Sequence, residues 1–143
     1  MEASVVASGS PQRYYTPWQI AVATILGGSL AGGFLAFRNN VLFRAPRKAT
    51  VIAVVSVIVF ICAIIAGVMM PPHASRSGVA FLIAIGYRWY AESAFAAEIS
   101  NRRAEGWVQH SWWRVVGIAV AFLVSMLVLL CLGIVIFEPD KSP

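Results

Sequence analysis

Two stretches of this chain carry no charge for longer than most soluble helices run. Ala49 to Met70 is uncharged over 22 residues and Val115 to Phe137 over 23. A helix needs about 20 apolar residues to cross roughly 30 Å of hydrocarbon, and each stretch meets that length. In lipid every backbone polar group must be satisfied within its own segment or a closed barrel, so runs of this kind are helices. A third run, Trp18 to Phe37, holds one polar amide, Gln19. The chain of 143 residues is 59% hydrophobic and 12% charged, against about 25% charged in soluble domains. These features predict an all-α polytopic membrane protein, a four-helix bundle with spans near 18–37, 49–70, 79–97 and 115–137. Tails over 1–16 and 138–143 flank a helical membrane domain over 17–137.

The third helix is the ambiguous one. Residues 86–98 read GYRWYAESAFAAE, with Arg88, Glu92 and Glu98 inside an otherwise apolar region. Charges near a helix centre cost about 2.5–3.5 kcal/mol each on insertion scales. Arg88 and Glu92 stand four apart and share a helix face, so they can pair, and pairing inside a bundle lowers that cost. The third helix is therefore either spanning, with an intramembrane Arg88–Glu92 pair, or partly interfacial, emerging along a continuous helix over about 79–104.

Loop charge favours the spanning form. Arg38, Arg44, Arg47 and Lys48 form a basic loop without an acid after the first run, and short basic loops stay cytoplasmic. Arg102, Arg103 and Arg114 precede the last run. Four spans put both basic segments on one side, with seven Lys or Arg inside and three outside. Both termini are then expected outside, in the periplasm if the membrane is a bacterial inner membrane.

Within the first run, Thr24, Gly28, Gly32 and Ala36 recur every four residues, with Ser29 and Gly33 in a parallel row. Small residues at this spacing let another helix approach closely. The partner is a helix of this chain, a second copy or another protein. Tyr14, Tyr15 and Trp18 open the first helix, and Trp107, Trp112, Trp113 and Arg114 precede the last. They are expected as headgroup-level anchors. Gly106 is expected to end the third helix.

The segments YYTPWQIAVATILGGSLAGGFLAFRNN, PRKA and SWWRVVGIAV resemble a group of small bacterial inner-membrane proteins with no assigned activity. In them a Tyr-[Ser/Thr]-Pro-x-Gln start leads into a Gly-Gly helix and an Asn-containing basic loop. Ser29 stands where that group often has proline. The resemblance implies a bacterial inner membrane and no particular chemistry.

Cys62 and Cys131 lie inside apolar runs, and His73 and His110 flank different segments. Neither pair has a ligand spacing, and no phosphate loop or nucleophile set is visible. No cofactor or metal is expected, and an enzyme is not expected. The net charge of +5 suits anionic lipids, at about 1 kcal/mol per basic group near such a surface, and not nucleic acid. Expected partners are the bilayer and another membrane protein, or self-association. The functional expectation is an accessory or stabilising subunit. Its alternatives are an immunity protein against a membrane-targeting toxin and a small oligomeric channel or transporter.

Overall fold

The structure is a computed structural model that describes residues 12–70 and 76–137. Of the expected tails over 1–16 and 138–143, residues 1–11 and 138–143 lie outside the described residues, as do residues 71–75. The element order is β1 (Arg13–Tyr14), α1 (Pro17–Leu42), α2 (Pro46–Met69), α3 (Arg76–Ala104), β2 (Val108–Gln109) and α4 (Trp112–Phe137). The fold is all-α and bundle-like, apart from a two-residue parallel ladder between β1 and β2. By length and composition, α1, α2 and α4 are apolar enough to cross a membrane.

The expected first span is corrected by its own geometry. Gly28 has φ 76° and ψ −178° within α1, a backbone region essentially reserved for glycine. At that point α1 folds back on itself as a helical hairpin with arms over 17–27 and 29–42. In a straight helix Tyr15 and Asn39 would stand about 36 Å apart. Instead the Tyr15 amide donates to Asn39 Oδ1 at 2.9 Å, and Asn39 Nδ2 donates to the Tyr15 carbonyl at 2.6 Å. Near the tip, Gly32 lies directly against Thr24 and the Ile20 carbonyl. At about 1.5 Å per residue the arms are roughly 16 and 21 Å long, about half to two-thirds of the hydrocarbon thickness.

Local chemistry prepares this shape. Thr16 and Gln19 form a capping box around Pro17, with the Gln19 amide donating to Thr16 Oγ1 at 3.3 Å and the Thr16 amide donating to Gln19 Oε1 at 3.0 Å. The second arm ends where the amides of Phe43 and Ala45 return to the Asn39 and Asn40 carbonyls. Pro46 then opens α2 at its first turn, where a missing N–H costs nothing.

The hairpin is the hub. It packs against α2, α3 and α4, and among the described residues no other helix pair makes a comparable contact. The core accordingly runs through Ile20, Ala23, Ala31, Leu35 and Ala36 of α1, met by Ile52, Tyr87, Phe95, Val115 and Ala119. Gly27 presses on the Ala119 backbone, where an added Cβ would lie 2.7 Å from the carbonyl oxygen.

Because the ends of the hairpin meet, the chain is reorganised about one end of the bundle. The Val108 amide donates to the Gln12 carbonyl at 3.1 Å, and the His110 amide to the Tyr14 carbonyl at 2.9 Å. Gln19 Nε2 donates to the His110 carbonyl at 2.6 Å. Residues 12–16, the 43–45 turn and the 105–111 connection therefore lie together. The expectation that the N-terminal segment and the 102–114 segment face opposite sides is overturned, since hydrogen-bonded neighbours cannot be separated by a bilayer. Both α2 and α4 start from this end, so α3 must return the chain between them. It does so as one continuous helix, ending before Gly106 at φ 85°.

Candidate functional site

The base of the hairpin gathers most of the polar chemistry. Arg13 comes from β1, Arg38 and Asn39 from the last turn and a half of α1, His110 from the residue after β2, and Arg114 from the first turn of α4. Arg13, Tyr15, Arg38, Asn39 and His110 line a cavity of about 130 Å³ with Val41 and Leu42. The Tyr15 and His110 rings stack with centroids 4.2 Å apart. His110 Nδ1 is buried and has no hydrogen-bond partner. Burial, then the positive charges of Arg114, Arg13 and Arg38, lower the His110 pKa from 6.5 to about 4. The imidazole is neutral at pH 7.

A second polar cluster lies deeper. Tyr87 Oη donates to Ser56 Oγ at 2.6 Å, which donates to the Ile52 carbonyl at 2.6 Å. Ser29 Oγ donates to the Ser56 carbonyl at 3.4 Å. Gly33 sits directly on Ser56, with no room for a Cβ. The second arm, α2 and α3 are thereby joined by hydroxyls in an otherwise apolar interior. Beyond the hairpin tip, Thr24, Gly28 and Ser29 form one wall of an apolar cavity of about 250 Å³, closed by Phe60, Val79 and Ile83 of α2 and α3.

The small-residue rows are placed as follows. Thr24, Ser29, Gly32, Gly33 and Ala36 are buried. Thr24 and Gly32 pack the hairpin on itself, and Ser29 and Gly33 pack it on α2. Gly28 is exposed, and an added Cβ would meet nothing within 4 Å. Its role is the turn, and the expected packing role is corrected.

Arg88 and Glu92 do pair, at 2.8 Å, but their side chains are 38% and 46% exposed. The pair sits on the outside of the bundle rather than within it. Arg88 also lies over the Trp18 ring, 4.1 Å from its centroid. Since Trp18 is in the first turn of α1, Arg88 stands at the level of the hairpin base. The acidic and basic half of α3 therefore covers the base, where Phe95 meets Phe43 and Arg102 lies over Trp107.

Among the expected anchors, Trp18, Trp112, Trp113 and Arg114 are exposed and Trp107 is half-buried. Tyr14 and Tyr15 are 1% and 3% exposed. They are core residues, because the β1–β2 ladder and the Asn39 clasp draw them inward. Arg38, Arg44, Arg47 and Lys48 are exposed at the basic end.

Gln19, Gly27, Asn39, Asn40, Ser56 and His110 carry more of this arrangement than the expected residues do. The Asn39–Asn40 pair at the end of an apolar run was the available signal, but next to Arg38 it reads as loop. No group of three or more His, Cys, Asp or Glu comes together among the described residues. Cys62 and Cys131 are free and exposed. Compared with protein-family models, characterised proteins and solved structures, the chain gives no match.

Proposed function

We propose that this chain is a non-catalytic membrane protein that acts through helix–helix contacts, as an accessory or stabilising subunit of a bacterial inner-membrane complex. One observation carries the reading: apart from His110 Nδ1, the interior polar groups described are consumed by the fold. Gln19, Thr24, Ser29, Asn39, Ser56 and Tyr87 all hydrogen-bond internally. What is presented outward is apolar helix surface, including Val51, Val54, Ile58 and Ile61 on α2 and Leu123, Leu127 and Leu130 on α4.

Charge supplies the orientation. Arg13, Arg38, Arg44, Arg47, Lys48, Arg88, Arg102, Arg103 and Arg114, nine of the eleven Lys and Arg, lie at or near the level of the hairpin base. That end is cytoplasmic by the positive-inside rule, and α1 is a re-entrant hairpin entering from it. Such backbone is tolerated at membrane depth when protein surrounds it, and here α2, α3 and α4 do so.

The test is gentle purification of a tagged copy at native expression level, with mass spectrometry of the eluate. A stoichiometric integral membrane partner is the expected result, and a chain that elutes alone as a monomer overturns the reading. The cavity beyond the tip favours a second reading, a small channel or transporter, because half-helix ends at mid-depth recur in transport sites. Ion or solute flux through a purified homo-oligomer would select it. The immunity-protein alternative draws only on the outward Arg88–Glu92 pair as a recognition element.

A further inference from the structure

We propose that the cavity beside His110 binds a phosphate group, carried either by a phospholipid headgroup or by a soluble phosphate. The walls are supplied by three separate parts of the chain. Arg13 and Arg38 line the cavity with His110 and Asn39, and Arg114 adds its field from α4. No acid lines it.

The contrast with Arg88 and Arg102 is informative. Arg88 is neutralised by Glu92, and Arg102 by Glu98 and Glu105. Among the described residues, Arg13, Arg38 and Arg114 have no ion-pair partner. Three like charges around one neutral imidazole repel each other, and an anion in the cavity relieves that repulsion. Beside the cavity, His110 Nδ1 is buried without a hydrogen-bond partner. Buried polar groups of this kind are rare and normally point to an unfilled interaction.

Phosphate fits this donor set best. Guanidinium groups present a planar fork that matches phosphate oxygens, and charge-assisted bonds of this type are about twice as strong as neutral ones. An imidazole N–H adds a further donor. The volume, about 130 Å³, has room for a single phosphate group. The depth also fits, because exposed Trp18 and Trp112 flank this end at the level where headgroups lie.

The experiment uses the full chain with His73→Gln, which leaves His110 as the single histidine. The ring is titrated by NMR in phosphate-free maltoside micelles, in the same micelles with inorganic phosphate, and in nanodiscs of phosphatidylglycerol. A bound anion should make His110 titrate at least about one pH unit higher. A response to free phosphate assigns the site to soluble phosphate, and a response to the lipid alone assigns it to a headgroup. Arg13→Gln with Arg38→Gln should abolish the response, each single change weakening it about tenfold in apparent affinity. Arg44→Gln with Arg47→Gln, equally exposed at the same end, should leave it intact. Arg114→Gln provides a second variant with a partial loss if the first pair perturbs folding. No response to either probe overturns the proposal. Equal losses in the two arginine pairs also overturn it, because they would mean diffuse charge and not a site.

Discussion

The hairpin and the two most apolar helices divide the work in an order opposite to that of a soluble protein. About 61% of the apolar stretch of α1 is buried, against 11% in α2 and in α4. Yet α1 holds the polar groups, with Gln19, Thr24, Ser29, Asn39 and Asn40 all buried. The more apolar helices lie outside. In water burial follows hydrophobicity. Against lipid tails there is little apolar gain in bringing Val or Leu inward, so packing and hydrogen bonds decide what goes to the centre. The half-length hairpin, with its broken backbone at Gly28, is the segment that most needs protein around it.

The largest test of this contrast is topological. With Cys62 and Cys131 replaced, single cysteines at Gln12 and Lys48 should be labelled by an impermeant reagent from the same side of the membrane. Labelling from opposite sides would make α1 a simple span and break the comparison. Next in size, Asn39→Leu leaves the Tyr15 N–H and C=O unpaired, at about 1–3 kcal/mol for each group. A total loss of about 2–6 kcal/mol is expected in denaturation from mixed micelles.

The hinge and the contact glycines can then be told apart. Gly28→Ala should cost about 1–3 kcal/mol through its positive φ. Gly28→Leu should cost little more, because the site is open. At Gly33 the cost should climb with side-chain size, because Ser56 is already in contact. Equal behaviour at the two positions would merge hinge and contact into one role.

A smaller effect comes from His110. Its folded pKa of about 4 lies below the ordinary 6.5, so as pH falls the unfolded chain takes up the proton first. Stability should therefore decline from about pH 6.5 to about pH 4 and level off below, as linkage requires. His110→Gln should flatten that limb of the pH–stability curve. The smallest effect is on the lipid-exposed helices. Ile61→Leu, at a 50% exposed position of α2, should change stability by less than about 0.5 kcal/mol.

Much of the helical content was legible in the residues. Uncharged runs predicted α2 and α4 to within a few residues at each end, because a segment in lipid must satisfy its own backbone. Gly106 marked the end of α3. The charges of α3 left two arrangements open; in the structure α3 is one continuous helix over Arg76–Ala104, with Arg88 and Glu92 exposed at the level of the hairpin base. The roles of Tyr14 and Tyr15 were not legible. An aromatic pair before an apolar run reads as an interface anchor unless a ladder to residues 108–110 is known, and that ladder joins positions more than ninety residues apart.

By itself the sequence determined that this is a helical membrane protein, that its positive charge is concentrated at particular loops, and that its first helix is rich in small residues. Only the tertiary structure decided that this helix is two. Glycine permits both a straight helix and a reversal, and the choice rests on distant contacts. The Asn39 clasp on Tyr15, the Gln19 bond to His110 and the Ala119 backbone against Gly27 supply them. No local pattern encodes a choice that is settled by hydrogen bonds formed after the chain has come together.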